Sequence, residues 1–170
     1  MQRSVGMDDI FRSVLAEAAG ISVGHPLLPL LSARSEVMQL TQKSHDAALK
    51  PELPGGLSHA ERAVLACRMA RLNDEELLAG HYEGMIPENS ELRVMADPAL
   101  DETDDHRLKA ILRHTDLVTV NPKQASENDI SALKSAGILE ADIVRLSELI
   151  AFLSYQVRVV KGLRLMVEAA

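Results

Sequence analysis

The chain has 170 residues, enough for one well-packed domain and short for two. Its apolar fraction of 46% and charged fraction of 25% are those of a soluble globular protein, but two Tyr, two Phe and no Trp leave the core to Leu, Ala, Val, Ile and seven Met, which favour helices over sheets. So few aromatics leave no base-stacking platform, and a net charge of −7 with Lys and Arg scattered among acids leaves no phosphate-binding surface, so nucleic acid is excluded as a partner.

In chain order, "MQRSVGMDDIF" has no continuous apolar region or cleavage signal and does not read as an export peptide. With the lone Cys67, which has no internal disulfide partner, this points to a reducing cytoplasm. Residues 8–19 predict a first short helix ending near Gly20. "HPLLPLLSARSEVMQLTQKSHDAAL" enters on two prolines and predicts one helix to Leu49. "KPELPGG" is the clearest breaker, with two Pro and two Gly in seven residues. It divides an N-terminal helical arm, residues 1–50, packed on the core, from the main helical domain, residues 51–170.

Ser58 with Glu61 spells a capping box that opens a helix over 59–72, whose "AVLAC" is apolar all round and so belongs in the middle of the domain. Asn73 with Glu76 spells a second box, so the next helix follows at once and lies antiparallel to it. "ADPALDETDD" is a polar loop before a helix over 104–118, and "NPKQ" breaks the chain again. Ser126 caps a short helix that stops at Gly137. The last helix, 140–167, carries Ile143, Leu146, Ile150, Leu153, Val157 and Val160 as one buried stripe. Phe152, Val159 and Leu163 add a second apolar face, which predicts packing against another subunit. Nothing alternates as a strand, so the fold class is all-α. No apolar run is long enough for a membrane span, so no membrane partner is expected.

The chemistry-bearing motifs are mostly missing. There is no Gly-rich phosphate loop, C-x-x-C, H-E-x-x-H or G-x-S-x-G, so no cofactor and no metal are expected. His25, His45, His59, His106 and His114 stand in polar or helix-end contexts and read as solvated. Glu75, Glu76 and Glu83 read as the solvated side of their helix. His81 differs, because Leu77, Leu78 and Met85 share its helical face and would desolvate the ring. Glu61 is its candidate partner. Across the tight hairpin it lies roughly 17 Å from the turn and His81 roughly 12 Å, about one helical turn apart. Against that pairing, Glu61 already has a capping role and a lone core histidine is ordinary filling. Cys67, mid-helix among Ala and Leu, reads as inert packing. Tyr155 and Arg158 read as interface polar groups.

"LSHAERAVLACRMARLNDEELLAGHYEGM" followed by "SENDISALKSAGILEADIVRLSELIAFLSYQVRV" resembles the carboxymuconolactone decarboxylase and alkylhydroperoxidase D-like (AhpD-like) superfamily over about residues 50–165. The resemblance makes residues 51–170 a carboxymuconolactone decarboxylase-like (AhpD-like) domain and implies an AhpD-like multi-helix bundle assembled as a homo-oligomer: dimer, trimer or hexamer. The hydroperoxidase branch places a C-x-x-C pair just before a histidine, with Glu and His relaying protons. Laid over this chain, the two thiol positions fall on Asp74 and Leu77, while Glu61 and His81 match the relay. The redox pair is absent, and Cys67 is too far upstream to replace it. "EELLAGH" is similar to the wording of the decarboxylase branch, although the "NG" turn common there does not follow "HYEGM". The resemblance therefore implies acid–base chemistry on a small carboxylate or lactone, with His81 moving a proton and Glu61 orienting it. The alternatives are a non-catalytic oligomer that keeps the scaffold, and a single-thiol antioxidant protein using Cys67.

Overall fold

The computed structural model describes residues 13–100 and 103–169, and within them the chain is helical with no strand. Of the first expected helix, residues 8–12 lie outside the described residues. The rest is α1, Val14–Ala18, where the Ser13 hydroxyl accepts the Ala16 N–H at 3.3 Å. Gly20, at φ +76°, turns the chain away from it.

The expected single helix up to Leu49 is in fact two, α2 (Leu28–Ala33) and α3 (Ser35–Leu49). Arg34 breaks them at φ −113° and ψ 25°, with its N–H tightened onto the Leu31 carbonyl at 3.0 Å. The apolar periodicity runs through the break unchanged, since Leu31, Met38 and His45 recur every seven residues and all are buried.

The Ser58 capping box forms as the sequence predicts. The Ser58 hydroxyl accepts the Glu61 N–H at 3.2 Å, and the Glu61 carboxylate accepts the Ser58 N–H at 2.7 Å. It opens α4, His59–Leu72, in which all residues from Arg62 to Ala70 are buried. This helix is the hub of the fold and touches α3, α5 (Glu76–Glu83), α6 (His106–Val120) and α8 (Glu140–Glu168).

The second capping box does not form. Asn73 terminates α4 instead, its side-chain amide donating to the Met69 carbonyl at 2.8 Å, and α5 enters from Glu75. A turn this short needs a left-handed residue, here Asp74 at φ +58°, and that geometry takes Asn73 off the start of the next helix. Glu75 is also not solvated. It is 1% exposed and accepts both terminal nitrogens of Arg164 on α8, at 3.2 and 2.7 Å.

Beyond a 3₁₀ turn over Glu91–Ala96, Asp105 caps α6 by accepting the Arg107 and Leu108 N–H groups at 2.9 and 3.0 Å. A 3₁₀ turn at Pro122–Gln124 realises the expected break. Next comes α7, Glu127–Ser135, where the Asp129 carboxylate accepts both the Ser126 N–H and hydroxyl. Gly137 then stops the chain at φ +81°. All six predicted stripe residues of α8 are buried. No helix of the described residues is long and apolar enough to cross a membrane.

Two buried arginines pin the hub. Arg68, wholly buried, forks onto Asp116 at 2.7 and 2.6 Å and donates to the carbonyls of Met95, Asp97, Pro98 and Leu100. Arg62 donates to Ala48, Pro54 and Leu57 carbonyls at 2.9–3.0 Å, so it holds both sides of the "KPELPGG" bend.

Candidate functional site

The site is assembled where α3, α5 and α8 meet under α1. On α3 the buried positions are Met38, Thr41, His45 and Leu49, spaced for one helical face. His45 is therefore carried into the interior at 5% exposure and is not a solvated histidine. His81 sits in the last turn of α5, partly buried, and its Nε2 lies 3.1 Å from the Nε2 of His45. Tyr82 stacks on His45 with ring centroids 5.9 Å apart, and Phe152 of α8 meets the same ring edge-on. The Tyr82 hydroxyl, wholly buried, donates to the Gln156 side-chain carbonyl, and burial pushes its own ionisation far above the usual range.

The shortest contact of each ring assigns its tautomer. His45 Nδ1 lies 2.9 Å from Asp46 Oδ1 and 3.3 Å from the Gln42 amide nitrogen; a carboxylate only accepts, so the shorter contact places the proton on Nδ1 and the Gln42 hydrogen goes to Asp46. The Gln42 amide donates to the same oxygen at 3.0 Å, while its carbonyl takes the Val14 N–H, which locks its orientation. His45 Nε2 is then an acceptor, and the contact between the rings requires His81 to donate from Nε2. That leaves the lone pair of His81 on Nδ1, which has no protein hydrogen-bond partner among the described residues. Burial, the facing His45 and Lys50 together lower the His81 pKa to about 4, so the ring is neutral at pH 7.

His81 also lines an open cleft of about 280 Å³ with Val14, Glu17, Ala18 and Leu77. Leu77 shares the helical face of His81 as expected, but it is 59% exposed, because the cleft opens there. Among the described residues the cleft is lined by three apolar side chains, one acid and the His81 ring, and by no cation.

Glu61 is elsewhere. Its carboxylate is shared between Ser58 and Arg107 of α6, and no hydrogen bond or ion pair joins it to His81. The antiparallel hairpin is real, but Glu61 faces α6 while His81 faces α3. Cys67 is fully buried, its thiol donates to the Ala79 carbonyl, and burial raises its pKa to about 11. Tyr155 is 42% exposed and shares a 2.9 Å hydrogen bond with Thr41 of α3. Among the described residues no three His, Cys, Asp or Glu side chains converge as metal ligands would.

Sequence reasoning missed His45, Asp46, Tyr82 and Glu17. A signal existed for His45, because it continues the Met38–Thr41–Leu49 stripe. Its partner, 36 positions away, leaves no local signal. No family model matches the chain, and no curated protein matches it.

Proposed function

We propose that the chain is a carboxymuconolactone decarboxylase-like, AhpD-like protein without a peroxidatic dithiol, and that it carries out acid–base chemistry on a small lactone or carboxylate at the His81 cleft. The observation that carries this is the 3.1 Å contact between the two Nε2 atoms, backed by Asp46 and beside an open cavity. His81 Nδ1 takes a proton from the substrate while its Nε2 proton passes to His45 Nε2. His81 remains neutral throughout, in keeping with its low pKa. The positive charge appears on His45, where the Asp46 carboxylate stabilises it. Reversal returns the proton to the product. Of the two substrate classes, the described lining favours the uncharged lactone, since Glu17 would repel an anion and no cation stands among the described lining residues. Glu61 serves the fold through its cap and Arg107.

A second reading, a non-catalytic helical oligomer retaining the scaffold, draws on the packing of His45 between a stacked Tyr82 and an edge-on Phe152, which suits a purely structural ring. The single-thiol reading has the least support, because Cys67 is sealed and protonated. The deciding experiment is proton exchange or turnover of small lactones by wild type, His81→Ala, His45→Gln and Glu61→Gln. Loss of turnover in His81→Ala, a kcat drop and altered pH profile in His45→Gln, and an unchanged kcat in Glu61→Gln are expected. Turnover in His81→Ala equal to wild type overturns the catalytic reading and leaves the structural one.

A further inference from the structure

A second cavity, of about 350 Å³, lies between α6 and α7, away from the His81 cleft. That is the lower end of the volume range of small-ligand sites, roughly 300–1,000 Å³. Its floor is apolar and shallow because Ala110, Ala132 and Ala136 stand where the two helices face each other. Its polar lining is His106, Lys109, Arg113 and His114 against Asp129 and Ser135. Lys109 and Arg113 are one turn apart on α6, and neither charge is matched by a full ion pair. Lys109 has no ion-pair partner among the described residues. Arg113 reaches Asp129 through a single nitrogen at 3.4 Å, with its side chain 70% exposed, so the rest of the guanidinium fork is open.

Among the described residues Asp129 is the one acid in the lining, and its other oxygen is occupied by the Ser126 N–H and hydroxyl. These same bonds hold its carboxyl below the usual range, so it stays ionised and cancels only one of the two cations. His106 sits at the rim, exposed. On a chain whose net charge is −7, this is a local positive concavity.

His114 is the buried basic side chain of the lining. It is 7% exposed, lines the cavity, and its Nδ1 is buried with no hydrogen-bond partner. A buried N–H without an acceptor is rarer in proteins than a bare lone pair, so the neutral ring places its hydrogen on Nε2. Burial lowers the pKa of this ring and keeps it neutral. The ring therefore brings one N–H donor, and no charge of its own, to a site that already holds a guanidinium and an ammonium.

From these groups we infer that the α6–α7 cavity binds a small organic carboxylate, its apolar body against the alanine floor and its carboxylate held by Arg113 and Lys109 with a hydrogen bond from His114. The guanidinium fork matches the two carboxylate oxygens, and the three alanines of the floor disfavour a bare inorganic anion. This is independent of the chemistry at His81.

The test is calorimetric titration of the full chain with benzoate, acetate, benzyl alcohol and inorganic phosphate at low ionic strength. Saturable 1:1 benzoate binding is expected, at least tenfold tighter than acetate, phosphate or benzyl alcohol. Lys109→Gln/Arg113→Gln, both at exposed positions, should weaken it at least tenfold while circular dichroism stays that of wild type. Ala132→Leu should abolish it by filling the floor, and His81→Ala should leave it unchanged. In the imidazole NMR spectrum one ring, absent in His114→Gln, should shift on benzoate addition. No saturable binding, equal affinity in the Lys109/Arg113 variant, benzyl alcohol or phosphate as tight as benzoate, or loss of binding in His81→Ala would each overturn the assignment.

Discussion

Acidification from pH 7 to pH 5 should destabilise the fold through His81. The ring titrates at about 4 in the folded chain against 6.5 when free, because burial and the facing His45 disfavour its cation. Above 6.5 both states are neutral and the group contributes nothing to the pH dependence. Below 6.5 the unfolded chain takes up the proton first, so stability falls until the folded ring also titrates near 4. From pH 7 to pH 5 the full difference is worth about 2 kcal/mol, and solvent at the partly open ring screens this to about 1–1.5 kcal/mol. Burial depresses His114 in the same direction, and hydrogen-bonded acids such as Asp129 lose stability at lower pH, so a scan of one protein mixes several groups. The clean measurement is urea unfolding at both pH values, followed at 222 nm, for wild type and His81→Gln. Glutamine can still donate to His45 but does not titrate. The variant should lose about 1–1.5 kcal/mol less than wild type between the two pH values. Equal losses would refute the reasoning, because His81 would then be solvated or already charged in the folded chain.

Two further outcomes follow from the core. Arg68→Met should destabilise by about 3–5 kcal/mol in denaturant titration, since Asp116 and four carbonyls lose their donor together, and Asp116→Asn added to it should recover part of the loss. Full stability in Arg68→Met would show that the guanidinium is not the pin described. Cys67 should resist a thiol-reactive disulfide reagent in the native protein and label only as fast as the chain unfolds, and immediate labelling would contradict its burial.

What the sequence disclosed, and what it withheld, divides along the range of the interactions. The Ser58 box, the stop at Gly137 and the α8 stripe are local patterns complete within a few residues, and each stands where expected. The break at Arg34 left no trace because the buried periodicity continues across it. The Asn73 box looked sound locally but lost to the geometry of a very short turn, in which Asp74 had to go left-handed. Glu75 read as solvated because its partner, Arg164, is 89 positions away. The same holds at the candidate site. His81 was visible as a ring on an apolar face, yet what it meets depends on which helix packs there. That helix, α3, belongs to the N-terminal arm, and no local pattern says where on the core the arm packs. Glu61 drew attention through its spacing, but Arg107, 46 positions on, claims it.

The grip of Arg62 on the "KPELPGG" bend bears on the division between arm and domain. One guanidinium, rooted in the hub helix, holds a carbonyl at the end of α3, another within the bend and a third just before α4. Chain on either side is thereby clamped to a common anchor, and separating the two pieces would strand a buried cation without its acceptors. The proline- and glycine-rich corner thus behaves as a weld, and residues on its two sides should melt in a single cooperative transition.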